Sequence, residues 1–180
     1  MAETVSVLDK EFEVYLSKEK IAARVAQLGE DISRDYKGQP LLLVGMLNGA
    51  FMFCSDLIRE IDSPSEITFV RYKSYAGMES TGEVNQLLGI NRDVKDVHIL
   101  IVEDIVDTGL TMKKAMAYFN SLQPKSIQVA SLLLKPECLK VSLDVKYVGF
   151  EIPEKFVVGY GLDYDGLGRN LKDIYQLKAE

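Results

Sequence analysis

Residues 98–112 read HILIVEDIVDTGLTM, and this segment constrains the fold more than any other part of the chain. Residues 99–102 form an unbroken run of Ile, Leu and Val, which is typical of a strand buried on both faces within a parallel sheet. Two carboxylates, Glu103 and Asp104, follow this strand, and a loop of small and hydroxyl-bearing residues comes next. Apolar residues then recur at the spacing of one helix face, at Met112, Ala115, Met116 and Phe119.

A loop between a buried strand and a helix is a common place for a phosphate. The helix N-terminus offers free N–H groups and a partial positive charge, Thr108 and Thr111 add hydroxyl donors, and Gly109 lets the backbone approach closely. Two carboxylates beside an anion site are explained if the ligand also carries hydroxyl donors or if a divalent cation bridges it. A ribose 5′-phosphate meets both conditions, since its vicinal hydroxyls can donate to Glu103 and Asp104. The alternative is a surface loop whose acids face solvent.

Strands and helices alternate along the rest of the chain. Helices are predicted over residues 17–36 and around Phe53 and Leu57, and strands over residues 41–46, 67–72, 84–90, 127–134, 147–150 and 156–160. Residues 74–82 are a polar, glycine-containing excursion. The pattern predicts an α/β fold with a twisted, mainly parallel sheet flanked by helices. We expect one domain over residues 1–180, with a core of about residues 38–145 and a small hood of about residues 1–16 and 146–180.

Residues 102–111, VEDIVDTGLT, resemble the ribose-phosphate signature of type I phosphoribosyltransferases. The hydrophobic pair and the Asp-Thr-Gly after the two acids resemble the 6-oxopurine branch, the hypoxanthine-guanine phosphoribosyltransferases. A second match covers residues 150–164, FEIPEKFVVGYGLDY, and Lys135 stands between the two motifs in the order found in the family. The resemblance extends over about residues 41–177, and it implies the type I phosphoribosyltransferase core with a hood.

The resemblance implies a ribose-phosphate site in the central segment. Glu103 and Asp104 would fix the ribose hydroxyls and contribute to metal binding. The loop that binds the 5′-phosphate would comprise Asp107, Thr108, Gly109, Leu110 and Thr111. Asp107 would also be the catalytic group, since it would assist at the N7 proton of the purine.

The resemblance places a purine pocket beside this site. Lys135 would recognise the 6-oxo group, Phe156 would stack on the base, and Val157 would bond it through the backbone. Ile105 and Asp163 would complete the pocket, and Asp163 would also bind the metal. From the residues alone, a snorkelling surface lysine is the commoner interpretation of Lys135, and core packing is the alternative interpretation of Phe156.

The pyrophosphate site implied by the resemblance comprises Leu47, Asn48, Gly49 and Arg169. In the family the turn of this site contains a non-proline cis peptide. Ser74 and Tyr75 would begin the flexible catalytic loop, which keeps water from the reacting ribosyl carbon. Many members of the family carry a lysine at the position of Asn48. We therefore expect pyrophosphate binding here to rest more on backbone amides, Mg²⁺ and Arg169.

Charge and composition exclude several other classes of protein. The formal net charge of −6 argues against a nucleic-acid or anionic-membrane partner. The longest apolar run, residues 41–47, is too short to span a bilayer, and the N-terminal residues lack the apolar centre of a signal peptide, so we expect a cytoplasmic protein. Cys54 and Cys138 form no zinc-binding pattern, and the single histidine, His98, gives little support to a Ser-His or Cys-His scheme.

The family resemblance implies a purine-salvage transferase. It would move the 5-phosphoribosyl group from phosphoribosyl pyrophosphate to hypoxanthine and guanine, giving IMP or GMP and pyrophosphate, with Mg²⁺ as cofactor. One alternative is a non-catalytic regulator that keeps the fold as a nucleotide sensor, and another is a xanthine-preferring transferase. The family resemblance also implies a homodimer or homotetramer.

Overall fold

The fold is taken from a computed structural model, which describes residues 4–72, 86–88, 90 and 92–178. The described helices are α1 (Lys18–Asp35), α2 (Phe51–Arg59) and α3 (Leu110–Ser121). The described strands are β1 (Thr4–Val7), β2 (Lys10–Leu16), β3 (Leu41–Met46), β4 (Ser65–Tyr72), β5 (Gln86–Leu88), β6 (His98–Val106), β7 (Ser126–Leu134), β8 (Tyr147–Glu151), β9 (Val157–Val158) and β10 (Ile174–Leu177). They form a large sheet and a small one.

The large sheet has the order β5-β4-β3-β6-β7-β8, and all its neighbouring strands are parallel except β5, which runs antiparallel to β4. All six residues of β3 are buried, as expected for a strand covered on both faces. The predicted α/β fold with a mainly parallel sheet and flanking helices is therefore confirmed. Of the predicted strand over residues 84–90, the structure describes Gln86–Leu88 as β5 and Ile90 as outside a strand, and the other positions lie outside the described residues.

The connections of the large sheet define where a ligand can bind. The chain passes from β3 through α2 to β4 on one side, and from β6 through α3 to β7 on the other. Because such crossovers are right-handed, α2 and α3 cover opposite faces of the sheet, and the strand order reverses between β3 and β6. The loops after β3 and β6 meet at this switch point, which is the usual binding crevice of open α/β sheets.

Helix α1 confirms the amphipathic pattern predicted for residues 17–36. Ser17 is its N-cap, and its hydroxyl accepts a hydrogen bond from the backbone N–H of Lys20. The buried face comprises Ile21, Val25, Leu28, Gly29 and Ile32. This face packs against α2 and β8 and so contributes to the hydrophobic core of the large sheet.

The small sheet forms the hood, with the order β1-β2-β10-β9 and its own buried cluster of Val7, Phe12, Val158 and Tyr175. The predicted hood boundary at residue 146 is wrong, because β8 pairs with β7 in the large sheet and the hood resumes only after Glu151. The predicted strand over residues 156–160 is also wrong in extent. It shortens to β9 because Gly159 and Gly161, both at φ +100°, turn the chain away.

Two further expectations concern membrane-spanning helices and the glycine-containing excursion. None of the helices in the described residues has the length and apolar character needed to cross a membrane. The excursion predicted over residues 74–82, with Ser74 and Tyr75, lies outside the described residues.

Candidate active site

Strand β6 ends at the crevice, and it is longer than the sequence predicts. The prediction ended the strand at Val102, whereas the structure continues it through both acids to Val106. The cause is the neighbouring strand β7, which remains paired with β6 at Glu103, Ile105 and Val106. The two acids therefore project from a rigid strand end and not from a loop.

The segment between β6 and α3 encloses a pocket of about 150 Å³. Its lining comprises Glu103, Ile105, Val106, Asp107, Thr108, Gly109, Thr111 and Met112. Helix α3 begins at Leu110, and its N-cap residue is Gly109, at φ +75° and without a side-chain capping bond. The pocket thus combines a helix N-terminus, two hydroxyl side chains and carboxylates, which suits a ligand with both an anionic group and hydroxyl donors.

The acidic pair lies in a low-polarity environment at the end of β6. Burial raises the pKa of Glu103 well above its ordinary value, and the charge of Asp104 raises it further. Burial also raises the pKa of Asp104, although the backbone N–H of Ile105, which donates to Asp104 Oδ1 over 2.8 Å, and the charge of Arg169 act in the opposite direction. These carboxylates would gain from a ligand that supplies positive charge or hydrogen-bond donors.

Asp107 and Lys135 form an ion pair at the mouth of the pocket. Lys135 Nζ lies 2.9 Å from Asp107 Oδ2, and only 10% of the lysine side chain is exposed. The backbone N–H of Lys135 donates to the carbonyl oxygen of Val106, which carries the pairing of β6 and β7 one residue beyond the strands. Lys135 is therefore a buried residue paired with Asp107 and not a snorkelling surface lysine.

The turn after β3 packs directly on the acidic pair. The Leu47–Asn48 peptide bond is cis, as the family resemblance implies, and the side chain of Asn48 is exposed. A Cβ atom added to Gly49 would overlap the carboxylate of Asp104. A Cβ atom added to Gly161 would overlap the carbonyl oxygen of Gly49. Glycine at both positions therefore permits the turn, the acids and the C-terminal loop to lie in contact.

Arg169 holds the C-terminal loop at this edge. Its Nη2 atom lies 2.7 Å from Asp163 Oδ1, and its Nη1 atom donates to the carbonyl oxygen of Gly161 over 2.7 Å. The backbone N–H of Gly166 donates to the second oxygen of the same aspartate, Asp163 Oδ2. The loop thus brings a cation and a carboxylate to the turn after β3.

Three of the purine-binding residues implied by the resemblance lie on or next to the strands β6 and β9. Phe156 precedes β9 in the hood and is 45% exposed, whereas Val157 is buried within β9. Ile105 lines the pocket of the central segment and is half-buried. Phe156 is therefore not a core residue, since nearly half of its surface remains open to a ligand.

Two residues near the candidate site are not identified by the sequence motifs. Cys138 lies in a short 3₁₀ helix, Pro136–Cys138, directly after Lys135, and burial and the nearby charge of Asp107 raise the pKa of its thiol. Gly161 makes the close contact to Gly49 described above. The position of Cys138, three residues after Lys135, indicates from the sequence that it lies near the candidate site. No local sequence pattern indicates the contact between Gly161 and Gly49.

Comparison with known proteins agrees with this geometry. Residues 12–165 match the phosphoribosyl transferase domain family. The chain belongs to this family. The hypoxanthine-guanine phosphoribosyltransferase of Staphylococcus aureus is 44% identical to this phosphoribosyltransferase over 169 residues, 93% of this chain and 94% of the relative.

Two solved structures extend the comparison of this phosphoribosyltransferase. A crystal structure of a hypoxanthine phosphoribosyltransferase from S. aureus has a TM-score of 0.87 at 44% identity and covers 92% of this chain and 91% of its own. A Trypanosoma cruzi hypoxanthine phosphoribosyl transferase has a TM-score of 0.88 at 35% identity, and the match covers 97% of this chain and 95% of the T. cruzi chain. That structure comes from work on the role of its C-terminal region in oligomeric state and enzymatic activity. The type I phosphoribosyltransferase fold is thus shared over nearly the whole chain.

Proposed function

We propose that this phosphoribosyltransferase transfers the 5-phosphoribosyl group from phosphoribosyl pyrophosphate to hypoxanthine and guanine. The observation that carries the proposal is the pairing of Lys135 with Asp107 beside the helix N-terminus of α3. A lysine amine can donate to the 6-oxo oxygen of a purine, and a neighbouring carboxylate can accept the N7 proton. One pocket edge thus offers the two groups that a 6-oxopurine requires.

The ribose and its phosphate fit the central segment. The N-terminus of α3 and the hydroxyl groups of Thr108 and Thr111 would bind the 5′-phosphate, and Glu103 and Asp104 would accept hydrogen bonds from the ribose hydroxyls. The exposed face of Phe156 would stack on the base.

In the reaction, purine N9 forms a bond to the anomeric carbon of the ribose while the bond from that carbon to pyrophosphate breaks. The purine ring loses electron density as the new bond forms, so its N7 proton becomes more acidic. Asp107 would accept that proton or stabilise the charge, and Lys135 would hold the 6-oxo oxygen. Arg169 and the backbone of the turn after β3 would hold the leaving pyrophosphate.

The donor set fits Mg²⁺. Carboxylate oxygens are its preferred protein ligands, and Asp163, Glu103 and Asp104 supply them at this edge. Within the described ranges, no group of three or more His, Cys, Asp or Glu residues is arranged to hold a metal ion. Mg²⁺ usually takes one or two carboxylates together with substrate phosphates and water, so the ion would bind with phosphoribosyl pyrophosphate. When bound, it would neutralise charge on the pyrophosphate.

We also propose, from the family resemblance, a cytoplasmic homodimer or homotetramer with small-molecule substrates and no nucleic-acid or membrane partner. The net charge of −6 supports the last point. A transferase that prefers xanthine and a regulator that binds nucleotide without turnover are the competing functions. The ion pair of Lys135 and Asp107 supports a transferase and not a regulator, since a nucleotide sensor needs no such pair at the reacting edge of the base.

The decisive experiment incubates the protein with phosphoribosyl pyrophosphate and Mg²⁺, together with hypoxanthine, guanine, xanthine or no base. We expect one nucleotide and one pyrophosphate per turnover with hypoxanthine and with guanine. Turnover with xanthine alone would establish the xanthine-preferring alternative. Nucleotide binding without turnover on any of the three bases would establish the regulator.

A further inference from the structure

Three aromatic rings pack together where the N-terminal hairpin meets the C-terminal loop. The ring of Tyr164 stands edge-on to the ring of Phe156, with centroids 5.7 Å apart and an interplanar angle of 85°. Phe12, which is fully buried in β2, lies 6.2 Å from Phe156 and 6.4 Å from Tyr164. The side chain of Phe156 is therefore supported by two rings and open to solvent over the rest of its surface.

Tyr164 is held from several directions. Its hydroxyl donates to Asp9 Oδ1 over 2.9 Å, and the amine of Lys10 lies 5.2 Å from the centroid of its ring. Its backbone N–H and carbonyl oxygen both bond to Leu167. The turn between β1 and β2 thus fixes a residue that in turn contacts Phe156.

We propose that Tyr164 is a positioning residue for purine binding, because its ring fixes the orientation in which Phe156 presents its face to the base. The inference rests on the proposed function, since the base is the partner of Phe156. An edge-to-face contact favours one ring orientation, so little side-chain freedom remains to be lost when the base binds. Phe156 lies outside β9, and its backbone is fixed by the hydrogen bond that its carbonyl oxygen accepts from the N–H of Leu177. The orientation of its ring therefore depends on side-chain contacts such as the one with Tyr164.

The effect of Tyr164 should be confined to the base. The neighbouring carboxylate of Asp163 is held by the backbone N–H of Gly166 and by Arg169, and neither contact involves the tyrosine side chain. Removal of the Tyr164 ring should therefore loosen Phe156 while the groups proposed to bind Mg²⁺ and pyrophosphate stay in place. Loss of a residue with a merely structural role would not change the KM for the base while leaving the KM for phosphoribosyl pyrophosphate unaltered.

The test compares the KM values for hypoxanthine and for phosphoribosyl pyrophosphate in wild type, Tyr164→Leu and Tyr164→Phe. For Tyr164→Leu we expect a rise of about two- to tenfold in the hypoxanthine KM, the range for loss of one aromatic pair, and an unchanged phosphoribosyl pyrophosphate KM. Tyr164→Phe keeps the ring and should stay within about twofold of wild type. Tyr118→Leu is the matched control, since Tyr118 makes an equivalent edge-to-face pair with Phe119 on α3, with centroids 5.2 Å apart.

A double-mutant cycle tests whether Tyr164 acts through Phe156. In the Phe156→Leu background, Tyr164→Leu should cause no further rise in the hypoxanthine KM. An unchanged hypoxanthine KM in Tyr164→Leu, or an equal rise in both KM values, would overturn the inference. If thermal melting shows that Tyr164→Leu does not fold, Tyr164→Met takes its place under the same criteria. Absence of turnover in the wild type would instead refute the proposed function, and this inference with it.

Discussion

The amine of Lys135 lies 2.9 Å from a carboxylate oxygen of Asp107, and this contact joins the end of β7 to the end of β6. The carboxylate side of the pair is 48% exposed, whereas the lysine is nearly covered. An ion pair with one exposed partner contributes at most about 1 kcal/mol to stability. The arrangement is thus better explained by a ligand that accepts a hydrogen bond from Lys135 and donates one to Asp107 than by stabilisation of the fold.

Asp107→Asn tests the role of this carboxylate in the chemical step. The amide keeps the size and can still accept a hydrogen bond from Lys135, but it loses the charge and the basicity. We expect the single-turnover rate to fall by about 10²–10⁴, the usual contribution of general-base assistance, with little change in phosphoribosyl pyrophosphate affinity. Single-turnover kinetics are required because product release can limit kcat.

Asp62→Asn is the control for this substitution. Asp62 is exposed and lies between α2 and β4, at the opposite edge of the sheet from the candidate site, so its rate should match the wild type. A single-turnover rate for Asp107→Asn within a few-fold of wild type would show that Asp107 is not the base.

Gly49→Ala tests the contact between the turn after β3 and the acidic pair. The added methyl group would overlap the carboxylate of Asp104, so the turn or the acid must move. We expect the KM for phosphoribosyl pyrophosphate to rise at least about tenfold, since displacements of about 1 Å at an active site are costly.

Gly38→Ala is the matched control for Gly49→Ala. Gly38 has nothing within 4 Å of an added Cβ atom but lies at φ +71°, so alanine there should cost about 1–2 kcal/mol of stability and leave the KM unchanged. An unaltered KM in Gly49→Ala would mean that Asp104 and the turn do not act together in substrate binding.

The raised pKa of Glu103 predicts a pH-dependent stability. Because the pKa of this carboxyl is higher in the folded protein than its ordinary value of about 4.3, the folded state binds a proton that the unfolded chain has lost. The free energy of unfolding therefore falls as pH rises from the ordinary value through the raised one. Glu103→Gln cannot ionise, so its Tm relative to wild type should increase between about pH 5 and pH 8 in the absence of Mg²⁺ and substrate.

Thermal melting in EDTA across this pH range measures the effect. Each 1 kcal/mol corresponds to roughly 2–4 °C in Tm for a chain of this size. Glu30→Gln makes the same chemical change on the exposed face of α1, and its Tm difference from wild type should stay constant with pH. If the difference in Tm between Glu103→Gln and wild type also stays constant with pH, folding does not raise the pKa of the Glu103 carboxyl.

The sequence was sufficient for the parts of the fold that depend on local pattern. The stripe of α1 is visible as helical periodicity and the six buried residues of β3 as an unbroken apolar run, and the structure has both close to the expected bounds. The end of β6 was not predictable, because the strand continues through two acids only while β7 runs beside it. The two polar side chains favour a loop after Val102, but pairing with β7 keeps this segment in the strand.

The site shows the same division between local motif and tertiary contact. The pocket before α3 follows from one continuous motif, whereas the pairing of Lys135 with Asp107 depends on a β6–β7 register that no local pattern fixes. The support of Phe156 by Tyr164 and Phe12 joins three separate segments, so it became visible only in three dimensions.

The ratio of kcat/KM for hypoxanthine to that for adenine tests the account most directly. Lys135 can donate to a 6-oxo oxygen, but the 6-amino group of adenine offers no acceptor to the N–H groups of this buried amine that are not bonded to Asp107. A site that leaves such a group unpaired rejects the wrong base by roughly 10⁴ or more, so the wild-type ratio should reach that value with phosphoribosyl pyrophosphate and Mg²⁺. Lys135→Met should lower the ratio by selectively slowing hypoxanthine turnover. Comparable wild-type rates on the two bases would contradict the account.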